Sequence, residues 1–408
     1  MREHSRSSID RRAFLKESSG SLLAARSGMF APLLGLDHRD NWPEDRKVLF
    51  VCVDGFGPEY LQRSDMPNLK QMIRAGLYVE GAGVIPSVTN VNNTSIVTES
   101  LPEDHGITGN YFYDRASRVG TFMESEEFLL RPTIFDKAKA QGIKTGFVTS
   151  KEKLMFLSRS ADMAVAAESP SRALVDTIGP EQEVYSPDIN FWSARAARHF
   201  LNEGECQLVY LVTTDYMMHT YPPSDERSLA HLHTLDQLLG QILNDHENLE
   251  VYLTADHGMS AKTTAIDIGF LLASNGIEAE VVPIIRDRYV VHHQNLGGAG
   301  YVYLEHENTI EDAFSILGEV AGVEEIYAKR EAAAEFNLHP DRIGDIFLLG
   351  EQDMVFGDLG GQLRDGVDIR SHGSRHEATV PVVCYGRDVD ESLYRRSIDL
   401  TRNFVWDV

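Results

Sequence analysis

Lys47–Val53 reads KVLFVCV and stops at Asp54-Gly55. A continuous apolar run of this kind, rich in valine and closed by a turn pair, marks a strand buried on both faces of a parallel sheet. Working outward, the signature returns at Thr145–Thr149 (TGFVT), Gln207–Thr213 (QLVYLVT) and Leu249–Thr254 (LEVYLT). Between these runs, Asn68–Ala75, Phe191–Asn202 and Glu226–Asn244 place apolar residues at helical spacing. Such alternation predicts an α/β fold, with a largely parallel central sheet and helices on both faces.

The pattern changes between residues 262 and 365. Strands are predicted at Arg288–Val291, Ala299–Leu304 and Asp345–Leu349, with a helix at Ile310–Val320. This reads as a smaller α+β cap inserted into the core, and Val380–Tyr385 is the returning strand. The expected organisation is a catalytic core over 41–261, a cap over 262–365 and a returning core segment over 366–408. Residues 1–40 read as an address. Ser8–Lys16 (SIDRRAFLK) resembles a twin-arginine export motif and is followed by a weakly apolar stretch to about Leu36. This predicts a periplasmic or exported protein. A basic tail on a cytoplasmic enzyme is the alternative, because Arg26 interrupts the stretch.

The whole sequence has 38 Lys+Arg against 62 Asp+Glu, a formal net charge of −24 over 408 residues. A chain this acidic lacks the basic face that nucleic acid or an anionic membrane requires, so neither is expected as a partner. No run after residue 40 has the ~18 consecutive apolar residues of a membrane span, so no stable membrane insertion is expected either. The three cysteines, Cys52, Cys206 and Cys384, are too few and too scattered for a disulfide framework or a zinc finger. Two of them lie in apolar strands and read as small core residues.

Several strands end in metal-type ligands. Asp54 follows the first strand, and Asp215 and His219 follow the 207–213 strand. Asp256-His257 follows the 249–254 strand, and His372 stands just before the last one. In an open α/β sheet the carboxyl ends of the strands line one crevice, so residues far apart in sequence converge there. Mixed carboxylate and imidazole ligation suits zinc. A lone aspartate after a strand is usually a turn or cap residue; six ligand-type residues at strand ends make the stronger case.

These motifs, VDG, PSVTNVNN, TTDYMMH, TADHGM and SHG in that order, resemble the metal-site motifs of the alkaline phosphatase superfamily, in its phosphodiesterase/nucleotide pyrophosphatase branch. Within that branch, PSVTNVNNTSIVT, HGITGNYFYD, VTSKEKL and DRYVVHHQNLG resemble the phosphonoacetate hydrolases. The resemblance implies an alkaline phosphatase-like fold and two zinc ions per chain. Asp215, His219 and His372 would hold one zinc; Asp54, Asp256 and His257 would hold the other, with Thr89 as a further ligand. It makes Thr89 the nucleophile and Asn110 a donor to the phosphoryl oxygens. It makes Lys151 and Lys153 the site for the substrate carboxylate, where their charge would stabilise the carbanion expelled by C–P cleavage. The implied reaction converts phosphonoacetate to acetate and phosphate through a phosphothreonine. The substrate class is a small anionic phosphonate or phosphate ester, and a homodimer is left open.

Alternatives stand beside each role. Thr89 opens a predicted helix, where threonine commonly serves as a cap, and Thr94 is the rival hydroxyl in the same run. Without the resemblance, Asn110 in a Gly-Asn pair reads more readily as a turn. The lysines fit a solvated helix face. His292 and His293 in the cap are expected to be structural, with one of them pointing at the substrate as the alternative. A phosphodiesterase or nucleotide pyrophosphatase on the same site is the first rival function, with Tyr111, Phe112 and Tyr113 available as a base slot. A catalytically silent zinc-binding protein is the second.

Overall fold

The computed structural model describes residues 42–43 and 45–406, so the twin-arginine-like segment lies outside the described residues. A seven-stranded sheet forms the core. Its order is Leu77–Ala82, Thr379–Tyr385, Leu249–Thr254, Lys47–Cys52, Leu208–Val212, Thr145–Thr149 and Met163–Ala166. Lys47–Cys52 pairs in parallel with strands on both sides, and both of its faces are packed against helices. That double burial is why its sequence does not alternate. On one face, Pro67–Ala75, Asp188–Asn202 and Glu226–Asp245 cover the sheet with side chains such as Leu69, Trp192 and Leu232. On the other lies Thr89–Thr98, a helix buried at every residue.

Among the described residues, Thr379–Tyr385 is the one reversed strand in this sheet, antiparallel to Leu77–Ala82 on one side and to Leu249–Thr254 on the other. This reversal positions the site. Residues that follow the parallel strands and residues that precede the antiparallel one come out at the same edge. Cys52 stands in register with Val212 and Thr254, and Val212 with Thr149. Asp54, Asp215, Asp256 and Lys151 therefore all lie two or three residues beyond one line across the sheet, and His372 approaches that line from the reversed strand.

A second sheet is built from Ala279–Pro283, Ala299–Leu304, Ile346–Gly350 and Val323–Ala328, all antiparallel. It has its own core of Ile268, Leu272, Val302, Leu317, Ile346 and Leu348. The chain enters and leaves this cap through one stem, in which Ser260–Ile266 pairs antiparallel with Arg364–Ser371. The stem's outgoing strand straddles the boundary expected at residue 365.

The strand expected over Arg288–Val291 is not formed. Val290–His293 is one helical turn instead, with Val290 and Val291 exposed. The Asp287 carboxylate accepts the Tyr289 N–H and the His293 Nε2–H, which draws the segment into a compact loop. Local side-chain-to-backbone bonding of this kind competes with a strand ladder.

Candidate metal centre

The three histidines at the sheet edge share one arrangement. Nδ1 of His219 lies 2.6 Å from the Arg370 carbonyl, Nδ1 of His257 lies 2.9 Å from the Gly258 carbonyl, and Nδ1 of His372 lies 2.8 Å from the Ser87 carbonyl. A carbonyl only accepts, so each Nδ1 carries the proton and each Nε2 presents a lone pair. Those lone pairs face carboxylates. Nε2 of His219 is 2.9 Å from Asp215 Oδ2, that of His372 is 3.6 Å from the same oxygen, and that of His257 is 3.3 Å from Asp54 Oδ1 and 3.7 Å from Asp256 Oδ2.

Acceptor facing acceptor in a buried site needs a cation or a proton between the two. Nε2 of His219, Nε2 of His257 and Asp54 Oδ1 are buried with no hydrogen-bond partner among the described residues. An unpartnered buried polar atom is costly, so its persistence points to a missing partner. Burial first, and then the charges of Asp215 and Asp256, push Asp54 up to about 8; burial and Asp215 push Asp256 up to about 6. Burial also lowers His257 and lowers His372 further, which keeps both neutral as metal ligation requires. The donor set fits a divalent metal.

The ligand atoms cluster in three groups: Asp54, Asp256 and His257; Asp215, His257 and His372; and Asp215, His219 and His292. The first is one of the two expected sets. The second expected set, Asp215, His219 and His372, is spread over the other two groups, with Asp215 common to both. His292 is an addition. It lies in the cap loop with Nε2 3.8 Å from Asp215 Oδ1, and its Nδ1 is buried without a partner among the described residues. Nothing in VVHHQNLG marks it as a ligand type distinct from His293, because only the closing of cap onto core brings it there.

Thr89 is the first residue of the Thr89–Thr98 helix and is 2% exposed. It has no helical carbonyl four residues before it to take its proton. Thr94, by contrast, donates to the Asn90 carbonyl at 2.6 Å, which occupies the rival hydroxyl. Asn93, one turn from Thr89, donates to Asp256 Oδ2 at 3.1 Å and accepts from the Tyr210 hydroxyl at 2.8 Å. It is a ligand-orienting residue that sequence reading missed; its only signal was the i, i+4 spacing from Thr89. A similar device holds Asp215. Asn190 makes two hydrogen bonds to the backbone of Thr214, one from its amide and one to its carbonyl.

The lysines are not a solvated face. Lys151 Nζ lies 2.7 Å from Asp215 Oδ1 and 3.1 Å from Asp54 Oδ2, joining the two ligand sets. Burial alone would raise Asp215, but the Lys151 ammonium beside it holds it well below the usual carboxylate range. Lys153 Nζ lies 2.7 Å from Asp287 Oδ2 in the cap, and the Asn110 amide donates to the same oxygen at 3.2 Å. Asn110 is buried and its Oδ1 is unpartnered among the described residues. Tyr111 and Phe112 pack on Phe122 and Phe128, and Tyr113 packs on Tyr303. These three rings are thus engaged with their own neighbours.

An α/β sheet with carboxylates and imidazoles gathered at its carboxyl edge defines a hydrolase of the alkaline phosphatase superfamily. The chain belongs to the type I phosphodiesterase / nucleotide pyrophosphatase family, whose profile matches residues 48–375. That family is metal-dependent. The structure of phosphonoacetate hydrolase from Sinorhizobium meliloti 1021 in complex with phosphonoacetate superposes with a TM-score of 0.81 at 30% identity, over 88% of this chain and 95% of that one. Murine ectonucleotide pyrophosphatase / phosphodiesterase 5 shares the fold, with a TM-score of 0.65 at 17% identity over 87% of this chain and 93% of that one. Human bis(5'-adenosyl)-triphosphatase ENPP4 is 28% identical over 227 residues, 52% of this chain. The match spans 48% of that protein, so the chain covers about half the length of this relative.

Proposed function

We propose that the protein is a two-zinc hydrolase that cleaves the C–P bond of phosphonoacetate. The observation that carries this reading is the pair of buried lysines beside the metal centre. A phosphodiester needs no second anion site, whereas a carboxylated phosphonate does. Asp54, Asp256 and His257 would hold one zinc, and Asp215, His219 and His372 the other. When bound, the ions supply Lewis acidity, neutralising the phosphonate and easing proton loss from a coordinated hydroxyl.

The chain's own groups do the rest. Thr89 Oγ attacks phosphorus, an O–P bond forms and the C–P bond breaks. The bond's electron pair stays on the methylene carbon and delocalises into the carboxylate, where Lys153 and Lys151 offset the growing charge. That carbon takes up one proton, balancing the one the Thr89 hydroxyl gives up, and leaves as acetate. Water then attacks the phosphothreonine, releasing phosphate and restoring the Thr89 hydroxyl. Asn110 and the N–H groups of the first helical turn hold the phosphoryl oxygens.

The test is phosphate release from phosphonoacetate by zinc-reconstituted protein, beside hydrolysis of a chromogenic phosphodiester, with Lys153→Met in parallel. Lys153 is the cleaner probe, since Lys151 touches metal ligands. Fast phosphate release that collapses in Lys153→Met, with the diester reaction spared, is the expected result. Rapid diester cleavage without phosphonoacetate turnover would move the activity to the phosphodiesterase reading that the family and the ENPP4 match favour.

A further inference from the structure

We propose that Asp287 is the positioning residue for the site that receives the substrate's second anionic group. This rests on the carboxylate reading above. Asp287 is 4% exposed, and four donors converge on its carboxylate. Oδ2 accepts from Lys153 Nζ at 2.7 Å and from the Asn110 amide at 3.2 Å. Oδ1 accepts from His293 Nε2 and from the Tyr289 N–H, both at 2.8 Å. The proton assignment on His293 is forced: its Nδ1 accepts the Asn295 N–H at 2.9 Å, so Nε2 carries the hydrogen.

The loop around Asp287 is closed on itself. Asn295 Oδ1 accepts the Asp287 N–H, and Gln294 and Asn295 both adopt left-handed backbone at φ 54°. Two consecutive non-glycine residues in that region persist only where surrounding contacts over-determine the loop. The carboxylate is thus held from the cap, while Lys153 and Asn110 come from the core.

The functional consequence follows from charge burial. Lys153 is 5% exposed, and an ammonium taken out of water needs a carboxylate beside it to stay charged and fixed. Asp287 spends one of the three ammonium hydrogens and aims the other two. The Tyr289 ring, 5.5 Å from Lys153 Nζ and 6.0 Å from Lys151 Nζ, lies over both cations. A ligand with a single phosphoryl group needs the metal edge alone; a ligand with a second carboxylate also needs this oriented ammonium.

The test is calorimetric titration of the zinc-loaded protein with phosphonoformate and with inorganic phosphate, for wild type, Asp287→Asn, Lys153→Met and the double variant. Because Oδ2 also holds Asn110, Asp287→Asn should weaken phosphate a little. It should weaken phosphonoformate about tenfold further, as expected for a lost charge-assisted contact. In the Lys153→Met background, Asp287→Asn should add nothing to the phosphonoformate/phosphate ratio, since Asp287 acts through that lysine. The double variant leaves no unpaired ammonium, so it keeps the comparison open if Asp287→Asn alone fails to fold. An unchanged or tightened phosphonoformate affinity in Asp287→Asn, or a further tenfold loss in the double variant, overturns the proposal while the carboxylate reading stands. A wild type that binds phosphonoformate no better than phosphate overturns both.

Discussion

At the scale of single residues, the centre is an assembly of side chains that are unstable alone. Asp54, Asp215 and Asp256 converge with three imidazoles whose Nε2 lone pairs point inward. Removing the metal therefore has a signed pH dependence. In the metal-free protein Asp54 is raised to about 8 and Asp256 to about 6, so the folded state holds protons that the unfolded chain has already released. Stability from these groups is full at low pH and is lost as pH rises through those values. His257 and His372 are lowered and act in the opposite sense, but only up to the ordinary histidine pKa of about 6.5. Between about pH 6.5 and 8 Asp54 acts alone. Chelator-stripped protein should show a melting temperature that falls across that interval, and zinc should restore more stability at pH 8 than at pH 6.5. A rise in the metal-free protein instead would mean that Asp54 is ionised at neutral pH.

Thr89 carries the second prediction at this scale. Thr89→Ala should reduce turnover by roughly 10⁴-fold or more, the usual outcome of deleting a nucleophile, with metal content near that of the parent by atomic absorption. If the metal is lost with activity, Thr89 serves mainly as a ligand. Helix polarity supports the reading of Thr89 over Thr94: Thr94 has a carbonyl to bond to one turn earlier, and Thr89, which opens the helix, does not.

At the scale of elements, what the sequence made legible depends on whether the signal is local. The strands Thr145–Thr149, Leu249–Thr254 and Ala299–Leu304 fall at the expected residues because complete burial forces uninterrupted apolar text. Arg288–Val291 misled because its text is compatible with an edge strand. What folds it is the Asp287 carboxylate, and no propensity records that contact. His292 and Asp287 join the site only through the docking of cap on core, so no motif spacing could reveal them. Asn93 is intermediate, since its partner Thr89 was legible and the helix puts residues i and i+4 on one face. From this face comes a prediction. Asn93→Ala removes the amide that orients Asp256 and leaves the Tyr210 hydroxyl without its acceptor. Zinc affinity should fall about 10–100-fold, the ordinary effect of losing such an orienting partner, while far-ultraviolet circular dichroism stays unchanged. Competition with a chromogenic chelator measures the first, and an unaltered affinity would show that Asp256 is held without Asn93.

At the scale of the whole molecule, charge and function oppose each other. The chain carries a formal −24, and two zinc ions would bring it only to about −20 (−24 + 4). On the proposed reading, a multiply anionic substrate would therefore meet a repulsive long-range field, although bound metals together with Lys151 and Lys153 would make its binding site locally positive. The two fields differ in range. Contacts inside the buried site act over a few ångström and are little screened, whereas the global field must act over distances comparable to the Debye length, about 30 Å at 0.01 M salt and 8 Å at 0.15 M. Salt therefore weakens the repulsion far more than the attraction. The kcat/KM for phosphonoacetate should rise severalfold between those ionic strengths at fixed pH and saturating zinc, using a salt whose anion does not bind the metal, and kcat should change little. Stopped-flow or initial-rate kinetics across the series decides it. A kcat/KM that falls with salt would show that the cationic edge projects beyond the cap and steers substrate in, so that the acidity is confined to the far surface. A rise would place the net charge in the rate of encounter and leave the chemistry to the buried centre.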